Sequence, residues 1–149
     1  MDKELVAEWF RFADMDLDLA KNTVKTMYPI PLELVCYHCQ QSAEKFLKGT
    51  IIAFGIEIEK THDLPTLMET LEEHAEMPPD FFRILNSLTQ FGVRTRYPNA
   101  ISVDESQTKN AIVHAEKIKQ WAESVIAKIA EAEKKAEGGK SSEQEESSK

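Results

Sequence analysis

Between residues 36 and 54, small and apolar side chains recur at three- and four-residue steps: Cys36, Cys39, Ala43, Phe46, Leu47, Thr50, Ile51 and Phe54. That spacing is one buried face of an α-helix. Gln40, Gln41, Glu44, Lys45 and Lys48 form a dense polar stripe on what is expected to be its remaining surface. Such a stripe is either a solvated face or a recognition surface. A helix with both demands on it needs tight packing on one side and specific chemistry on the other.

The rest of the chain repeats the helical period between proline breaks. A first helix is expected over about 3–27, capped by Asp2. Leu5, Trp9, Phe12, Asp16, Leu19 and Thr23 follow its buried direction, widened by Val6, Ala13, Ala20, Val24 and Met27. Tyr28-Pro29-Ile30-Pro31 ends it, and Pro31 suits the start of the helix over 32–54, which stops at Gly55. Ile56 to Lys60 alternates but has no partner strand, so it reads as a connector. Asp63 and Pro65 open a third helix carrying Leu64, Leu67, Met68 and Leu71. A fourth follows Pro78-Pro79, with Phe81, Phe82, Leu85, Leu88 and Phe91, and ends at Gly92. Ser102 and Glu105 have capping-box spacing before a fifth helix to about Ala130, burying Ala111, Ala115, Ile118, Ala122, Val125 and Ile129. Few glycines, five in all, two of them Gly138 and Gly139, suit an all-α up-and-down bundle of about five helices over residues 1–130. Residues 131–149 hold Glu, Lys, Ser and Gly almost to the exclusion of apolar residues and are expected to be a disordered acidic tail.

Charge and motif chemistry narrow the function. A net charge of −8 argues against wrapping duplex nucleic acid through a broad basic surface, though not against a local phosphate site. Cys36 and Cys39 have no second pair and lie inside a helix, so they read as core residues rather than half a zinc site. Asp14-x-Asp16-x-Asp18 lacks the glycine and the closing glutamate of a calcium loop. Asp16, near the apolar direction, either pairs with a buried Lys or Arg, which is the expectation, or lines a site. No metal or cofactor motif appears. No apolar run approaches the ~20 residues that cross a membrane, and the charged start, Met1 to Glu4, is unlike a signal peptide. A cytoplasmic protein with reduced thiols is the expectation. The segment Arg94-Thr95-Arg96-Tyr97-Pro98-Asn99 joins two guanidinium groups, suited to phosphate, with an aromatic ring on which a base can stack.

Four of these stretches, in order, resemble the HEPN domains (higher eukaryotes and prokaryotes nucleotide-binding). An Asp-Leu on the first helix is matched by Asp16-Leu17 or Asp18-Leu19. A Gln-x-x-Glu-Lys-x-x-Lys core is matched by Gln41, Glu44, Lys45 and Lys48. His62-Asp63-Leu64 and Arg96-Tyr97-Pro98 match the third-helix and pre-final-helix motifs. The resemblance covers about residues 4–130. It implies a homodimer, often paired with a minimal nucleotidyltransferase as a toxin–antitoxin system. In active members it implies a metal-independent RNase, with an Arg, four to six residues, then His at the dimer cleft. Counting on from Arg83, Arg94 and Arg96 meets no histidine at that spacing, so the RNase motif is incomplete. The expected function is nucleotide or RNA binding through Arg94, Arg96, Tyr97 and Asn99, with Lys45 and Lys48. Asp16, Glu44 and His62 support them. The alternatives are a live RNase that borrows His62, and a helical interaction module without chemistry.

Overall fold

The computed structural model describes residues 1–94 and 102–147, with side chains given through Gly92 and over 102–139. The helices are α1 (Lys3–Thr26), α2 (Leu32–Ala53), α3 (Leu64–Glu72), α4 (Phe81–Thr89), the four-residue α5 (Phe91–Arg94) and α6 (Glu105–Ser147). No strand occurs among the described residues. The five principal helices stand where the sequence periodicity puts them, except that α4 ends at Thr89 and its expected stop, Gly92, lies inside the added α5.

Local chemistry sets most of the boundaries. Asp2 caps α1 by accepting from the Leu5 amide at 3.1 Å, and Asp63 caps α3 by accepting from Thr66 at 3.2 Å. Gly55 takes φ 76°, a left-handed geometry open to glycine, and ends α2 with amide bonds from Gly55 and Ile56 back to its last carbonyls. The capping box of α6 is shifted from Ser102 and Glu105 by two residues. Asp104 accepts from the Gln107 amide at 2.7 Å, and the Gln107 side chain accepts from the Asp104 amide at 3.0 Å. Aspartate is as good a cap as serine, and the reciprocal glutamine lies three residues on.

Helix α6 also runs past Ala130, because Glu, Ala and Lys at 131–137 are strong helix formers. The terminal amine of Met1 holds Glu133 at 2.8 Å, and beyond it residues 134–138 are exposed. The expected tail, 131–149, overlaps this extension as far as Ser147, and Ser148 and Lys149 lie outside the described residues. A helix with no buried face is marginal in water.

Helix α2 is the axis of the bundle and touches every other helix. Its apolar face packs as expected, with Cys36, Cys39, Ala43, Phe46, Leu47 and Ile51 at 0–1% exposure. Its polar stripe does not lie at the surface: Gln40, Glu44 and Lys48 are also buried. Of the stripe, Gln41 and Lys45 keep partial exposure. Against α1 the approach is close, since a Cβ on Gly49 would lie 2.8 Å from the Phe10 ring. Phe10 meets Phe46 edge-on at 5.1 Å, and the Ser42 hydroxyl donates to the Ala13 carbonyl at 2.8 Å.

The face of α1 turned to the core is Val6, Ala13, Leu17 and Ala20. Leu5, Phe12 and Leu19, expected inside, are 43–48% exposed, and Met27 is exposed as well. The α1–α2 seam selects small residues, so the larger apolar side chains one helical step away are left outside. On α4, Phe82 likewise points outward while Phe81, Ile84, Leu85 and Leu88 are buried.

Candidate functional site

Two segments meet at Glu44: α2 itself and the connector that leads into α3 at His62. Its Oε1 accepts from His62 Nδ1 at 2.9 Å and from Gln40 Nε2 at 3.2 Å, and its Oε2 accepts from Lys48 Nζ at 3.2 Å. Gln40 Nε2 also donates to the His62 carbonyl at 3.2 Å, and Gln41 Nε2 donates to Gln40 Oε1 at 2.7 Å. Buried polar groups must find partners, and this cluster supplies them internally. A carboxylate only accepts, so the His62 nitrogen facing it carries the proton. Nε2 is then left on a side chain that is 58% exposed. The cluster therefore has a buried base of Glu44 and Lys48 and one histidine ring at its surface.

The short helix α5 rests on the same cluster. A Cβ on Gly92 would stand 2.8 Å from Gln40 Cδ and 2.9 Å from Nε2, so a side chain there would have to displace the buried Gln40 amide. Thr89, just before it, accepts from the Leu64 amide at 3.0 Å and so ties the end of α4 to the start of α3. Helix α5 ends at Arg94. The backbone of Arg94 thus leaves from beside the His62 cluster. Arg96, Tyr97 and Asn99 lie outside the described residues.

A second polar cluster sits between α1 and α2. Asp16 Oδ1 meets His38 Nδ1 at 3.0 Å, and Asp16 Oδ2 accepts from Lys45 Nζ at 2.5 Å. Beside it a depression of about 260 Å³ is lined by Glu8, Trp9, Phe12 and Lys45. A larger one, about 500 Å³, lies between the 74–79 connector and α6, against Phe54, Trp121 and Val125. It is at the opposite end of α3 from His62.

The expected site residues are therefore divided. Glu44, Lys48 and His62 come together, and Asp16 joins Lys45 in a separate group. Lys45 and Lys48, expected to touch ligand, are each held on a carboxylate; Lys48 is buried, whereas the Lys45 side chain keeps 25% exposure beside the α1 depression. Gln40, His38 and Gly92 belong to these clusters although the sequence did not mark them as site residues. The signal for Gly92 was present: a glycine between two helical patterns serves close approach as readily as chain termination. Cys36 and Cys39 are free and buried, and burial pushes both thiols up, which keeps them protonated and unreactive. Among the described residues no three His, Cys, Asp or Glu side chains are grouped to hold a metal ion.

A bundle built round one central helix, with a buried carboxylate presenting a histidine at one end, defines the class. The chain belongs to the HEPN family: the HEPN domain model matches residues 6–125. It is similar to the crystal structure of an archaeal HEPN homologue, with 26% identity and a TM-score of 0.64 over 81% of this chain and 97% of that one. A protein from Thermus thermophilus is 25% identical, with a TM-score of 0.59 over 85% and 96% of the two chains. An HEPN domain protein from Thermotoga maritima shares the fold at 19% identity and a TM-score of 0.51, over 84% and 96%. No curated protein matches the chain.

Proposed function

We propose that this HEPN protein binds a nucleotide or RNA at the end of the bundle where α5 meets His62. It does so as a homodimer and as the partner of a minimal nucleotidyltransferase, in the cytoplasm. The observation that carries the reading is the seat of Gly92 on Gln40. Through it, the chain that continues into Arg94, Arg96, Tyr97 and Asn99 starts beside the exposed ring held by Glu44. Guanidinium groups grip phosphate in a fork and a tyrosine ring stacks on a base, neither of which needs a broad basic surface. Free buried thiols are in keeping with a reducing compartment. No helix among the described residues is long and apolar enough to cross a membrane.

Titration with a short single-stranded RNA and with nucleoside phosphates tests this. Saturable binding below millimolar concentration is expected, weakened about tenfold or more in Arg94→Ala or Arg96→Ala, the scale of a lost charge-assisted pair. Absence of binding, with the variants indistinguishable from wild type, returns the chain to a helical interaction module.

One observation favours a second reading, a live RNase. Glu44 fixes the His62 tautomer and leaves Nε2 outward, the arrangement a general base needs. In that case purified protein cleaves RNA without metal, and His62→Ala abolishes cleavage together with Arg94→Ala. RNA that is bound but stays intact decides for the binding protein.

A further inference from the structure

The periodicity of α1 marks as interior a stripe that the folded chain leaves outside. Leu5, Phe12 and Leu19 are seven residues apart and nearly half exposed, with Trp9 half-buried between them. Of the nine exposed large apolar residues in the described chain, seven (Leu5, Phe12, Met15, Leu19, Met27, Tyr28 and Leu34) lie on α1, just after it, or on the first turn of α2. Scattered apolar residues need no explanation, whereas a contiguous set marks a contact face.

We propose that this stripe is covered by α1 of a second copy, antiparallel, about a two-fold axis through Phe12. This rests on the homodimer reading above and names its face. Three observations single out a second copy. The spacing is symmetric about Phe12, so an antiparallel mate sets Leu5 against Leu19 of the partner subunit and Phe12 against itself, the self-complementarity of a two-fold contact. Leu5, Phe12, Met15, Leu19 and Leu34, each 43–52% exposed, offer the apolar centre that a contact of ~800 Å² per partner needs. The charges along the stripe are also already paired: Asp16 with Lys45, and Glu8 with Arg11 at 2.7 Å. On a chain of net charge −8, a like-charged copy can approach such a face at little cost. Antiparallel order also opposes the two helix dipoles.

The test uses the full chain with introduced thiols and a short bismaleimide, Cys36 and Cys39 being buried. Phe12→Cys alone cross-links to a dimer. Leu5→Cys alone and Leu19→Cys alone do not, because like positions then stand about 21 Å apart at 1.5 Å per residue. A mixture of Leu5→Cys and Leu19→Cys does cross-link. Phe12→Arg, with unchanged helical circular dichroism, weakens dimerisation about 30-fold or more in sedimentation, as loss of a central anchor does. Wild type that sediments as a monomer even at millimolar concentration overturns both the homodimer and its face. A dimer that tolerates Phe12→Arg and whose Phe12→Cys form stays uncross-linked overturns the face alone. Cross-linking of Leu5→Cys by itself overturns the antiparallel order.

Discussion

Replacing Glu44 with alanine is expected to lower the unfolding free energy by about 3–5 kcal/mol, the cost of breaking a buried ion pair from one side. Glu44 and Lys48 are 4% and 7% exposed, and the carboxylate also receives Gln40 and His62. Its removal strands a buried ammonium and takes one acceptor each from Gln40 and the His62 ring. The double replacement Glu44→Met with Lys48→Met removes both charges together and is expected to recover most of that loss, since the pair itself contributes little net stability over an apolar substitute. Urea unfolding measures both, read as a shift in midpoint at constant slope. A Glu44→Ala midpoint within the equivalent of ~1 kcal/mol of wild type would mean that Lys48 reaches water by itself.

Phe46→Ala is expected to cost about 3–5 kcal/mol, the sum of lost transfer energy and an unfilled cavity. Phe46 is fully buried on α2, and its ring packs edge-on against Phe10, which is also the ring closest to Gly49. The gap therefore opens along the tightest seam of the bundle, where the backbones have least room to close it. Phe82→Ala is the control. Phe82 is 58% exposed on the outer side of α4, and its loss is expected to stay within ~0.5 kcal/mol. Equal losses at the two positions would contradict the assignment of the α1–α2 seam as the centre of the core.

The helices were legible because the prolines and Gly55 punctuate this chain and the apolar steps between them keep one period, whereas Gly92 falls inside α5 and ends no helix. Asp2, Asp63 and Gly55 act as their types dictate. The faces were harder to read. On α1 two stripes compete, Val6-Ala13-Leu17-Ala20 and Leu5-Phe12-Leu19, and hydrophobicity favours the larger residues. Close helix contact favours the smaller ones, a preference that belongs to the partner helix and to Gly49 rather than to α1. On α2 the error ran the other way. Gln40, Glu44 and Lys48 have the composition of a surface, and only a ring of neighbouring helices makes them interior. The grouping of His62 with Glu44 depends on how α3 returns along α2, which no local pattern encodes. The separation of Lys45 from Lys48 has the same origin: one side chain finds an aspartate on α1 and the other a glutamate on its own helix.

A phosphate-bearing ligand at the bundle end formed by His62, Gln40 and Gly92 has a direct signature. Two-dimensional NMR of the full chain, titrated with a short single-stranded RNA, reads it residue by residue. Saturable shifts are expected in the His62 ring and in the Gly92 and Arg94 amides, with the Asp16–His38 cluster and the 74–79 connector unmoved. Shifts confined to those other regions, or none at all at millimolar RNA, would place the ligand elsewhere or remove it altogether.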